Sequence, residues 1–440
     1  MIDKTQTTPV RISLYIFLSL LAYMPLHIFL STWIGTSFGV LPAAKIAKDV
    51  LLVAGFILIL CAYIFSRGGV WKQIQKDRLV QVILAYGVLN VLLAVVRPTE
   101  LDAEILGLVY NTRFLVIFLY GLLLSRFFEV KYLHRVSVKT LTVVAAPVLV
   151  FGILQYLLLP SDALSNFGYS RANGVLPAFF IDDKPDLERI MSTLRDPNSF
   201  GSYLIIIGAL SLTLILKKPK ISKPYTFYFL LSAACLWLTF SRSAWIGFAV
   251  MTLTILALQT NKTFVSHVKK YLLFISVCTI LTGLFIFSAR NSYFMQNVIF
   301  HADQSTVLED SNQLRARFWR ESLNGIVDDP LGGGPGTAGL ASIRNQTQGT
   351  ELNENYYLQI GSELGILGLV LFCSIIFMVG ARLYRATKVD GWLPLALLAS
   401  LIGLSVANFF VHVWSNESVA LTWWALAGIV LVTTNKQFKN

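Results

Sequence analysis

The chain has 440 residues, 55% of them hydrophobic and 14% charged, and a mean hydropathy of +0.65. Soluble domains carry about 25% charged residues, so this composition excludes a soluble globular domain and reads as a polytopic helical membrane protein. The formal net charge of +12 is spread over short segments between apolar runs, which is a pattern of membrane topology and not of a nucleic-acid surface.

Apolar runs predict twelve transmembrane spans, near residues 12–32, 46–66, 79–96, 105–125, 140–160, 199–216, 224–240, 243–259, 271–289, 355–380, 391–411 and 418–434. The first, around Ile12–Leu30, lacks a small-residue cleavage site and is followed by further spans, so it reads as a retained helix. With the N-terminus in the cytoplasm, basic clusters such as Lys217, Lys218, Lys220 and Lys223, or Arg382, Arg385 and Lys388, fall in cytoplasmic segments. Those segments carry only Asp3, Asp77, Glu129 and Asp390 as acids. Lys and Arg favour cytoplasmic loops, so both termini are placed there, with anionic lipid as a further contact. Cys61, Cys235, Cys278 and Cys373 all lie in apolar runs and read as buried structural thiols, neither a disulfide framework nor a metal site.

The expected architecture is therefore all-α and integral to the membrane: about twelve helices in a single polytopic domain over residues 1–440. Two long connections, 161–195 and 291–353, fall on the outer side and are expected to be partly helical. The second contains an amphipathic helix, "SNQLRARFWRESLNGIV", and a Gly-rich tight turn, "DDPLGGGPGTAG". Long loops in compact proteins carry function or are disordered; these keep apolar and aromatic residues, which favours ordered caps over an outward-facing site. No internal repeat of the kind found in two-fold transporters stands out.

Charged residues at the outer ends of spans carry the chemistry. Arg242, in "TFSRSAWIG", joins two apolar runs. It reads either as an interfacial arginine snorkelling to water or as an anion-binding group whose planar fork suits phosphate. Arg189 and Arg195 precede Asp196-Pro197-Asn198, a helix start whose free N–H groups favour anions. Glu354 opens "ENYYLQIGSELGILGLV", as a helix N-terminal acid or as a general base. Glu363 lies deeper and is expected to pair with a buried partner. Arg113, inside the fourth span, and Asp49, near the start of the second, also need partners, and a pair between them is one solution. His27, His134, His267, His301 and His412 show no metal-ligand spacing, so no metal is expected, and no nucleotide-binding glycine pattern occurs.

These segments resemble the O-antigen ligase and Wzy-type polymerase superfamily. "RIMSTLRDPNSFGSYL" looks like its arginine, Pro-Asn, small-residue helix start, and "TFSRSAWIG" resembles its Thr-x-Ser-Arg helix junction. "RARFWRESLNGIVDDPLGGGPG" is similar to its Arg-x-x-x-Trp and Pro-Leu-x-Gly-x-Gly loop, through Arg315, Trp319, Pro330, Leu331, Gly333 and, shifted by one, Pro335 or Gly336. "ENYYLQIGSELGILG" resembles the segment opening the next span, where the family usually has His-Asn-x-Tyr-Leu. The motifs cover roughly residues 189–375. The resemblance implies a glycosyltransferase at the outer face of the cytoplasmic membrane, using a polyprenyl-diphosphate-linked glycan and neither metal nor cofactor.

It assigns Arg242 and Arg189 to the diphosphate. Arg195, Arg315, Arg317, Asn198, Asn355 and Tyr357 join them in binding the diphosphate or glycan. Glu354 stands where ligases carry histidine and is the expected base. That departure favours repeat-unit polymerisation over ligase-type transfer to another acceptor, and a flippase or other transporter fits less well because the informative charges crowd one face. Partners implied are the lipid-linked glycan, membrane lipid and other polysaccharide assembly proteins.

Overall fold

The computed structural model describes residues 7–67, 76–181, 184–259, 311–345, 351 and 353–437. Eleven of the twelve predicted spans are helical in it; residues 271–289 lie outside the described residues. Helices α1 (Thr8–Tyr23) and α2 (His27–Ser37) divide the first span at the 3₁₀ turn Met24–Leu26. Pro25 supplies no backbone donor there, and its carbonyl accepts from Thr193 Oγ1 at 2.8 Å, so the break docks a distant loop. There follow α3 (Leu41–Arg67), α4 (Arg78–Val96), α5 (Leu101–Phe127) and α6 (Val130–Leu157). Next come α7 (Pro197–Lys217), α8 (Ser222–Leu238), α9 (Arg242–Leu258) and α10 (Ser311–Asp328). The last three are α11 (Tyr356–Asp390), α12 (Trp392–Ala407) and α13 (Glu417–Gln437).

Seven of the described helical segments are long and apolar enough to cross a membrane, with α9, α12 and α13 as shorter apolar helices. Exposed Val88, Val91, Val95, Phe377 and Ile366 on α4 and α11 give these helices the outward apolar faces a bilayer requires. The most deeply buried of the described helices are α7, α12 and α13. Helix α13 packs along α5, and α9 along α12. At the second crossing a Cβ on Gly247 would sit 2.7 Å from the Gly403 carbonyl oxygen, and one on Gly403 2.4 Å from that of Gly247. Small residues at such a crossing let two backbones touch, the usual device for helix association in lipid. Trp414, Trp423 and Trp424 fill the core beside them, with ring centroids 5.0–5.7 Å apart.

The first of the two long connections differs from expectation in kind. In 161–195 the regular structure is a 3₁₀ turn, Ala163–Phe167, and an antiparallel hairpin of β1 (Phe179–Ile181) and β2 (Lys184–Arg189). Strand β1 is only three consecutive apolar residues, too short for the sequence to show a strand period. In 291–353 the amphipathic helix is present as α10, while 291–310 lie outside the described residues. The thiols also differ: Cys235 is buried, its Sγ 3.5 Å from the Leu149 carbonyl, but Cys61 and Cys373 are exposed on helix surfaces, where a lipid-facing side chain need only be apolar. Cys278 lies outside the described residues.

Glu363 has the buried partners expected of it. It accepts from Asn111 Nδ2 at 2.7 Å and from the Gly336 N–H at 3.0 Å. Gly333 and Gly334 donate to the Ser362 and Glu363 carbonyls at 2.8 and 2.9 Å. The N–H groups of the Gly-rich turn are thus spent on α11, which breaks locally at Gly365 (φ 66°) to receive the loop. Gly336 has φ +88°, and a Cβ there would meet the Ala103 carbonyl oxygen at 2.3 Å. Gly336→Ala should therefore lower stability by about 2 kcal/mol or more, read as a reduced thermal midpoint of the purified protein; an unchanged midpoint would show the loop can relax.

Candidate active site

Three non-glycine residues among the described residues have positive φ: Ser192 (54°), Phe240 (49°) and Glu354 (45°). Each lies in a different one of the motif segments, "RIMSTLRDPN", "TFSRSAWIG" and "ENYYLQIG". Left-handed backbone at a side-chain-bearing residue costs on the order of 1–3 kcal/mol and persists where surroundings over-determine it. Ser192 is held by its N–H to Gln155 Oε1 (2.9 Å) and its Oγ to the Val148 carbonyl (2.6 Å). Phe240 turns the chain between α8 and α9, leaving Thr239, Phe240 and Ser241 as the whole connection. Glu354 sits immediately before Asn355, whose side chain caps α11 by accepting from the Tyr357 and Leu358 N–H groups at 2.9 and 3.2 Å.

A cavity of about 200 Å³ opens where the two long connections meet the helix ends. Its lining includes Arg195, Asn198, Arg315 and Glu354 from the predicted set. Arg195 makes no hydrogen bond or ion pair among the described residues. It enters from just before α7, whose N-cap Asp196 accepts from the Ser199 N–H at 2.8 Å. Arg315, on the first turns of α10, grips Glu354: Nε and Nη2 lie 2.8 and 2.7 Å from Oε2. Glu354 is 44% exposed and Arg315 26%, so both remain reachable from the cavity.

The other predicted residues stand behind or beside this cavity. Arg189 ends β2, donating from Nε to the Thr239 carbonyl at 2.9 Å and from Nη2 to Asn198 Oδ1 at 3.0 Å. It ties the α8–α9 corner to a cavity-lining asparagine. Arg242 is the first residue of α9, half-buried at that same corner, and does not line the cavity. Arg317 faces Glu321 one turn on, at 3.7 Å on the exposed side of α10. Tyr357 packs on Phe409 (4.6 Å between centroids) and donates to the Ser405 carbonyl at 3.0 Å. Asn355 and Tyr357 thus fix the start of α11, and neither lines the cavity.

Sequence reasoning missed much of the opposite wall: Tyr110, His412, Ser415, Asn416 and Glu417, together with Arg113 as a cavity residue. Arg113 does not pair with Asp49. Its Nη1 lies 2.6 Å from Glu417 Oε2 and its Nη2 2.6 Å from the Ser415 carbonyl, while Asp49 pairs with Lys48 at 2.8 Å. A signal existed, since "WSNESVA" places an acid at the start of the last apolar run. Nothing in spacing could couple it to a residue about three hundred positions earlier.

No group of three or more metal-ligating side chains occurs among the described residues. His412, between α12 and α13, is half-buried with Nδ1 enclosed and without a partner among the described residues. Burial pushes its imidazole down to about 4, from an ordinary value of about 6.5. Between those values the unfolded chain binds a proton that the folded protein refuses, so stability decreases as the pH drops through that window and is unaffected above it. The native protein should therefore lose more of its thermal midpoint than His412→Gln between about pH 7 and pH 5; equal losses would show that His412 does not titrate this way.

Residues 227–373 match the family model described as Wzy_C, O-antigen ligase. The match takes in Arg242, Arg315, Glu354 and the Gly-rich turn, and ends before the segment 410–417, which supplies part of the opposite wall. No curated protein matches the chain. Over that segment, the chain is similar to the O-antigen ligase and polymerase superfamily.

Proposed function

We propose that the protein polymerises polyprenyl-diphosphate-linked oligosaccharide repeat units at the outer face of the cytoplasmic membrane, within the ligase or polymerase type of function that its family match supports. The observation that carries this reading is Arg195, a cation without an ion pair among the described residues, in one cavity with the Arg315–Glu354 pair. An arginine fork binds diphosphate oxygens two at a time. A carboxylate within reach of the same space can take a proton.

In this mechanism an acceptor hydroxyl attacks the anomeric carbon of the donor. The new carbon–oxygen bond forms as the bond to the diphosphate breaks, with inversion, and the diphosphate leaves with the electron pair. Glu354 accepts the hydroxyl proton. Arg195 and Arg315 neutralise charge on the departing diphosphate. A diphosphate that draws Arg315 to itself loosens that residue's hold on Glu354, which frees the carboxylate to meet the acceptor hydroxyl. Arg189 holds Asn198 and the α8–α9 corner in place. Arg242, given a diphosphate role by the family resemblance, approaches from that corner, with Arg317, Asn355 and Tyr357 supporting the loop and helix start. The lipid tail lies laterally against the helices, and no metal or cofactor takes part.

Ligase-type transfer of a finished glycan is the second reading, favoured by the description of the matched family. Glu354 in place of the ligase histidine favours polymerisation. A size profile of surface and lipid-linked glycans from the host lacking this gene separates the two: single repeat units without a ladder mean polymerase, and long chains stranded on the carrier mean ligase. Repeat units trapped on the cytoplasmic side would mean transport and end the enzyme reading. Glu354→Gln, at normal protein level, should cost product by about two orders of magnitude or more; unchanged product would remove Glu354 as the base.

A further inference from the structure

Two cations, two carboxylates and a histidine from four helices meet beside the cavity. The Glu417 carboxylate lies 2.6 Å from Arg113 Nη1, 3.2 Å from Lys48 Nζ and 3.0 Å from His27 Nε2. Lys48 Nζ also reaches Asp49 Oδ2 and the Lys45 carbonyl, each at 2.8 Å. These residues come from α2, α3, α5 and α13, and Lys48 and Arg113 are 4% and 5% exposed. Buried ions in an apolar bundle cost several kcal/mol each unless matched, so the cluster exists only because its members neutralise one another.

Stability alone does not account for its place. Arg113 and Glu417 both line the cavity, while Asp49, His27 and Lys48 do not. Arg113 is more buried than Arg315, where a cation acts on an anion through less water. Its guanidinium lies 4.7 Å over the Tyr110 ring, and its second donor holds the Ser415 carbonyl. That carbonyl belongs to the turn that brings Phe410, His412 and Asn416 to the cavity wall, where Asn416 Nδ2 bonds Ser199 Oγ. Glu417 is already occupied by three partners, so it is not the proton acceptor.

We infer that Glu417 is a positioning residue: it holds Arg113 as a third arginine facing the donor diphosphate and, through Arg113, sets the 408–416 wall of the cavity. The role rests on the glycosyl-transfer reading above. Glu417 supplies the negative charge that keeps Arg113 fixed and compensated before an anion arrives, and the arginine contacts the diphosphate from the buried side.

The test uses the full-length protein in lipid nanodiscs, with a polyprenyl-diphosphate-linked glycan as donor, comparing the native chain with Glu417→Gln, Glu417→Asp, Arg113→Lys and Asp49→Asn. Per folded molecule, Glu417→Gln should lower donor kcat/KM by about tenfold or more, chiefly through donor KM. Acceptor KM and the shape of the pH profile should stay as in the native protein. Glu417→Asp should recover to within about threefold. Arg113→Lys should resemble Glu417→Gln, because an ammonium cannot reach both Glu417 and Ser415 in the guanidinium's geometry. Asp49→Asn should lower the thermal midpoint and leave donor KM alone.

Native donor kcat/KM in Glu417→Gln overturns the inference, as does a loss that merely follows the amount of folded protein, or removal of the acidic limb of the pH profile, which would make Glu417 the base. If Glu417→Gln does not fold, native donor KM in Arg113→Lys overturns it equally. Should the native protein transfer nothing, the function reading fails separately. Binding of a polyprenyl diphosphate alone then decides: weaker in Glu417→Gln supports the positioning role, and unchanged refutes it.

Discussion

An ionisable group enclosed among apolar helices has to find its polar or charged partners inside the protein, and that constraint organises this molecule. Two carboxylates show it most plainly. Glu363 gathers α5, α11 and the Gly-rich turn through Asn111 and the Gly336 N–H. Glu417 gathers α2, α3, α5 and α13 through His27, Lys48 and Arg113. Helix packing in lipid gains little from hydrophobicity, because tails are as apolar as side chains; polar ties of this kind, with close crossings such as Gly247 on Gly403, decide which helices meet.

The same ties deliver the cavity. Its residues come from segments hundreds of positions apart, and each arrives by a local device. Pro25 breaks the first span and anchors Thr193. Arg189 bridges Thr239 to Asn198. Asn355 caps α11 and leaves Glu354 in a left-handed conformation facing Arg315. That the strained residues Ser192, Phe240 and Glu354 fall one to each motif segment fits a site held in a geometry the backbone would not choose unaided.

The sequence made the helices legible because eleven apolar runs are long enough to read by hydropathy alone. It also made Arg195, Asn198 and Glu354 legible as polar residues next to the starts of apolar runs, and Arg315 through the Arg-x-x-x-Trp resemblance. It did not show the β1–β2 hairpin, whose strands are too short for a period, nor the bend at Pro25. The Arg113–Glu417 pair was hidden for a different reason: Arg113 was visible as a charge inside the fourth span that needed a partner, but partner choice is set by which helices pack, and α5 against α13 is a contact of high sequence separation. Arg189 and Arg242 illustrate the converse. Their motifs were recognisable, yet one serves as a brace and the other opens a helix outside the cavity lining.

The central claim is that the donor occupies the cavity walled by Arg195, Arg315, Glu354 and the 408–416 turn. Photo-crosslinking locates it most directly. A photoreactive phenylalanine analogue at Phe410, which lines the cavity, is compared with one at Trp237, exposed on α8 near the Arg242 corner. Illumination of intact cells, followed by isolation of the protein and detection of attached lipid-linked glycan, should give the adduct at position 410 and little at 237. An adduct at 237 with none at 410 would place the donor outside this cavity and contradict the account.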